Sequence, residues 1–123
     1  MEDSSVVVEG NFARKAVTEA ADEYQAFSFG RIGVKPQLTL LFRKATGEVH
    51  GFAYADLRGI STLDEDRGFT IRFDSGTVKI EGRNLRQLFQ YICLHRAAEI
   101  VEIDEQMTLQ LPHDRAVVWL VKF

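Results

Sequence analysis

One cysteine, Cys93, is all the thiol chemistry this sequence has, and a lone cysteine excludes an intramolecular disulfide. An excess of basic residues is also missing. The 15 Lys and Arg are outnumbered by 18 Asp and Glu, for a formal charge of −3. Nucleic acids and anionic membranes are held mainly by dense Lys/Arg neutralisation, so nucleic acid is an unfavoured partner. The three histidines, His50, His95 and His113, are too scattered to suggest a metal centre, and no motif points to a cofactor. No apolar run is long enough for a membrane span, and Met1-Glu2-Asp3-Ser4-Ser5 lacks the basic and apolar regions of a signal peptide. A cytoplasmic location is the expectation. The only prolines, Pro36 and Pro112, both fall in predicted connectors, and there is no repeat, low-complexity tract or domain boundary. Residues 1–123 therefore read as one domain, of a size able to bury a core.

The stretch from Phe69 to Ala98 carries the clearest pattern. Phe69, Ile71 and Phe73 alternate with Thr70, Arg72 and Asp74; after Asp74-Ser75-Gly76, Val78 and Ile80 repeat the alternation. That spacing predicts a β-hairpin with one apolar face. Gly82-Arg83-Asn84 stops the second strand, and Leu85, Leu88, Phe89, Ile92 and Cys93 then recur at helical spacing. The predicted helix, from about Leu85 to Ala97, packs this stripe on the sheet, with Cys93 as a small buried hydrophobe.

On either side of this unit the pattern is of strands, with one further helix. Val6 to Val8 suggest a brief strand, and Phe12 to Phe27 an amphipathic helix faced with alanine. Strands are predicted around Leu38 to Phe42, Val49 to Tyr54 and Asp56 to Leu63, the last interrupted by Gly59. Together with the hairpin they form a five-strand meander. Beyond the helix, Glu99 to Ile103 alternates, Met107, Leu109 and Leu111 alternate, and Ala116 to Phe123 is almost wholly apolar. The last two are expected to pair across Pro112 to Arg115. An apolar strand of that kind needs cover on both faces, from the centre of a sheet or from a second subunit.

Chemistry is sparser. His95 and Glu99 are spaced to share a helix face, and His113-Asp114 lies in a turn, but neither has the companions of a metal or catalytic centre. The acidic runs at Asp64 to Asp66 and Glu102 to Glu105 read as solvated turns. Gly30-Arg31-Ile32-Gly33 matches the Gly-x-x-Gly spacing of KH modules, yet Val34-Lys35-Pro36 does not readily start the helix such a loop requires. The best candidate site is Gly82 to Arg86. A helix start there offers free N–H groups and a positive dipole end, Asn84 is placed to cap it, and Arg83 and Arg86 add cationic donors. Arg83, Asn84 and Arg86 are thus the candidate ligand-binding residues, for a small anion. Tyr91, Leu94 and Ala98 form an apolar strip opposite the core stripe; with the apolar C-terminal strand and the alanine-faced helix, it predicts a homo-oligomer, most simply a dimer.

Asp56-Leu57-Arg58-Gly59-Ile60, followed by a hairpin and a closing helix, resembles the second half of pleckstrin-homology and GRAM-like domains. Over this third of the chain the resemblance implies a curved antiparallel sheet capped by a helix, on a scaffold that more often binds than catalyses. In those families the helix ends the domain, whereas here three strand-like segments follow. The expected architecture is an α+β fold, a bent antiparallel sheet or partial barrel packed by two helices. The expected function is a non-enzymatic, oligomeric binding module, the alternative being a small enzyme with a pocket between helix and sheet that uses His95, Glu99 or His113.

Overall fold

Alternating patterns leave each strand with one face to bury, and two sheets satisfy each other. The computed structural model describes residues 24–30 and 36–123. The eight strands are β1 (Phe27–Phe29), β2 (Thr39–Arg43), β3 (Val49–Ala53), β4 (Leu57–Asp64), β5 (Gly68–Phe73), β6 (Gly76–Arg83), β7 (Ala97–Val101) and β8 (Val117–Lys122). The helices are α1 (Arg86–Cys93) and a single turn, α2 (Glu105–Thr108). The fold is mixed α+β, with two four-stranded sheets in the orders β1-β7-β2-β3 and β4-β5-β6-β8, and no closed barrel among the described residues. All pairings are antiparallel except β2 with β7.

The predicted meander is therefore divided. A 3₁₀ turn at Tyr54–Asp56 separates β3 from β4 and sends the chain into the second sheet. The core lies where the sheets meet: Leu40, Phe42 and Ile100 from the first, and Ile71, Val78, Ile80 and Val121 from the second, are all buried. Aromatic rings fill one end, where Phe52 stacks on Phe73 at 4.6 Å and Phe42 meets both, and Phe123, edge-on. From α1, Leu85, Leu88 and Ile92 are fully buried. Phe89, expected inward with them, is only partly buried, with its ring edge-on to Phe69 at 5.5 Å.

Several expectations are corrected. The helix stops at Cys93 rather than Ala97, and Cys93 is exposed, not buried. His95 takes a left-handed φ of 57°, with Arg96 N–H bonded to Tyr91 O and His95 N–H to Ile92 O; that is the Schellman closure, here with histidine at the site usually held by glycine. Met107, Leu109 and Leu111 do not form a strand. Asp104 caps α2 by accepting from Gln106 N at 2.9 Å, and Leu109 is exposed. The apolar C-terminal strand consequently pairs with β6, at the edge of its sheet rather than in the centre. The predicted strand at Val6 to Val8, and the Phe12 helix up to residue 23, lie outside the described residues, as does most of the Gly30 to Gly33 motif. The described end of that helix is not helical, since Phe27 opens β1.

The exposed edge of β8 is covered by side chains from the other sheet's side of the molecule. Tyr24 Oη accepts from Val118 N at 2.9 Å and donates to Val101 O at 2.7 Å. Glu102 accepts from Ala45 N and Val121 N, both at 2.8 Å, and Lys44 Nζ donates to Val121 O at 2.6 Å. Glu102 is thus a tie between strands, not the solvated turn residue its sequence context suggests. Burial pushes the Tyr24 hydroxyl pKa above its ordinary value, which keeps this donor protonated. Among the described residues no helix is long and apolar enough to cross a membrane.

Candidate functional site

At the start of α1 the three expected side chains are all in place, and each is already engaged within the chain. β6 continues through Gly82, whose position a larger residue could not take because an added Cβ would run into the carbonyl of Val117. Asn84 then turns the chain at φ 56°, and Leu85, not Asn84, is the N-cap. The Asn84 amide donates instead to His113 O at 2.8 Å and Arg115 O at 3.1 Å. Arg83 Nη2 reaches Pro112 O at 3.0 Å and Leu111 O at 3.4 Å. These two side chains therefore anchor the 111–115 loop.

Arg86 faces Glu65 at 3.3 Å and Asp66 at 3.8 Å. Asp66 also accepts from the Arg86 N–H, at 3.3 Å, and its carbonyl takes the Leu85 N–H, at 3.1 Å. A negative charge belongs at a helix N-terminus, and here the chain supplies its own. Arg83 Nε is buried with no hydrogen-bond partner.

A second feature lies at the other end of α1. Gly30 N–H bonds to Arg96 O and Gln37 N–H to His95 O, both at 2.8 Å, which brings Phe29 and Leu38 alongside the Leu94 end of the helix. Phe29 stacks on Tyr91 at 4.4 Å and is still 49% exposed; Leu94 is 61% and Leu38 85% exposed. Beside them opens a groove of about 1100 Å³, lined by Leu38, Leu41, Tyr54, Ala55, His95 and Ala98 among others. Its imidazole is held flat on the Tyr54 ring at 4.6 Å, and the Tyr54 hydroxyl is tied to Ala97 O at 2.6 Å. Desolvation raises the Tyr54 pKa, so the phenol remains a neutral donor. Of the strip predicted from sequence, Leu94 and Tyr91 border this end and Ala98 lines the groove. Leu41 and Phe29 stand outside any local apolar pattern, and Leu38, expected to share the strand face of Leu40 and Phe42, precedes β2 and is exposed; only the fold collects the three.

The acid–base candidates are not assembled. His95 lies in the turn after α1 and Glu99 on β7, where Glu99 is paired with Arg43 at 2.7 Å. His113 is an exposed loop residue that offers its carbonyl to Asn84. The one histidine–carboxylate pair among the described residues, His50 with Glu48 at 3.0 Å, is exposed and outside the groove. No group of three or more His, Cys, Asp and Glu placed to hold a metal occurs among the described residues. Cys93 has its thiol pKa raised, by desolvation and then by Glu65, which makes it a poorer nucleophile.

No protein-family model matches the chain, and comparisons with curated proteins and with solved structures likewise return no match.

Proposed function

We propose that the protein is a non-enzymatic binding module that works as a homo-oligomer and receives its partner on the apolar end formed by Phe29, Tyr91, Leu94 and the adjoining groove. The observation that carries this reading is the concentration of exposed large apolar side chains at one place, around a groove whose polar floor is a stacked imidazole. The separation of His95, Glu99 and His113 supports binding over acid–base catalysis. A naphthalene-sulfonate dye should bind the parent protein with enhanced fluorescence. Leu38→Asp combined with Leu94→Asp should keep the circular dichroism spectrum and reduce that enhancement several-fold, since both side chains point into water and contribute little to the core. Equal dye binding by the two proteins would remove the apolar end as the binding surface.

A small anion recognised by Arg83, Asn84 and Arg86 is a second reading, favoured by the unpartnered Arg83 Nε. Such an anion competes with Asp66. Phosphate should shift the amide NMR signals of residues 82–86 more strongly in Asp66→Asn than in the parent. If neither protein responds, Asp66 is merely the helix's own capping charge.

A further inference from the structure

Among the described residues each of the two sheets has two edge strands, and exposed edges with unpaired N–H and C=O groups invite pairing with another chain unless they are blocked. Three of the four are blocked here. The β8 edge is covered by Tyr24, Glu102 and Lys44. On β4, register irregularities fall on either side of Gly59 to Ser61, and the charged residues Arg58 and Asp64 lie towards the strand's two ends. The third, β1, is three residues long and contains an irregularity of its own. Among the described residues, β3 has none of these devices. It pairs with β2 in unbroken register through all five residues, Val49 to Ala53, and carries neither proline nor lysine.

The outer surface next to this edge mixes apolar Val49 and Leu41 with Thr39 and with Arg43, the register partner of Val49, whose charge is already paired with Glu99. Val49 is 44% exposed, and Leu41 and Thr39 lean over Gly51, each with a methyl group within van der Waals reach of where a Cβ would lie.

We propose that a second copy of this chain pairs with β3, edge to edge and antiparallel, about a twofold axis through Gly51. This deepens the oligomeric reading given above by naming its surface, and it rests on that reading. A twofold axis normal to the sheet keeps every side chain on its own face, so opposed residue numbers must sum to an even value; the register centred on Gly51 is the one that engages all five strand residues. It sets Val49 of one copy against Ala53 of the other, His50 against Phe52, and Gly51 against Gly51. No two like charges meet within the pair, and the imidazole–phenyl pair is of the aromatic kind that stabilises neighbouring strands. The two four-stranded sheets β1-β7-β2-β3 become one continuous sheet of twice the width, with Leu41 and Val49 of both copies extending the contact on the outer face.

The test uses charge. Val49→Lys with Ala53→Lys places lysine against lysine across the axis twice, and Val49→Glu with Ala53→Glu does the same with carboxylates. Sedimentation velocity at micromolar concentration should show the parent as a dimer, each variant as a folded monomer of half that mass, and an equal mixture of the two variants as a dimer again. A covalent readout stands beside it: Val49→Cys with Ala53→Cys, in a Cys93→Ser background, should yield an inter-chain disulfide on mild oxidation. A parent dimer that survives both charge variants and forms no such disulfide overturns the β3 edge while leaving the oligomeric reading standing. A monomeric parent overturns both.

Discussion

Replacing Phe42 by Ala should cost about 3–5 kcal/mol and lower the thermal midpoint by tens of degrees or abolish the folded state. The range is that of other buried aromatic truncations, where lost transfer energy and an unfilled cavity add. Phe42 belongs at the top of it because it is fully buried and its ring touches Phe52, Phe73 and Phe123, so no single neighbour can move in without breaking its own contacts. Those rings come from both sheets, so the truncation loosens the joint between layers rather than one strand. Chemical denaturation of Phe42→Ala checks this, and a loss below about 1 kcal/mol would mean that the aromatic cluster is not the centre of the core.

The second large effect is expected at a charged residue. Glu102→Ala removes the acceptor for the Ala45 and Val121 N–H groups and takes away the carboxylate 3.8 Å from the Lys44 ammonium, which keeps only its bond to Val121 O and its place over the Phe123 ring. Hydrogen bonds to an ionised group contribute about 1.5–3 kcal/mol each, so a destabilisation of about 3 kcal/mol is expected. Amide exchange localises it: Val121 and Ala45 should lose protection before the centre of β5 does. Unchanged exchange at both amides would show that solvent replaces the carboxylate at no cost.

How much of this could be read from the sequence depends on how local each cause is. The hairpin of β5 and β6 and the buried stripe Leu85, Leu88, Ile92 follow from periodicity alone, and the structure places them as expected. The end of α1 was hidden because the left-handed closing residue is His95, while sequence patterns flag glycine there. At residues 104–111 two local signals competed. Three alternating apolar residues suggested a strand, but the Asp104 side chain offered the backbone a cap, and the helical turn won. The parallel pairing of β2 with β7 and the bridging role of Glu102 depend on segments more than 50 residues apart, which no periodicity encodes. The site shows the same division. Arg83, Asn84 and Arg86 stand at the approach to α1, but Leu85 takes the capping position expected of Asn84, and their partners, Glu65, Asp66 and the 111–115 carbonyls, come from elsewhere in the chain.

The tie between Tyr24 and Val118 spans 94 residues. Closing a loop of that length must precede any gain from the bond, and folds dominated by distant pairings cross their transition states slowly, in milliseconds to seconds. During synthesis the edge of the second sheet cannot be sealed until its last strand has left the ribosome. Until then β6 presents its own unpaired edge, and the nascent chain depends on the speed with which β8 arrives to avoid pairing with a neighbour.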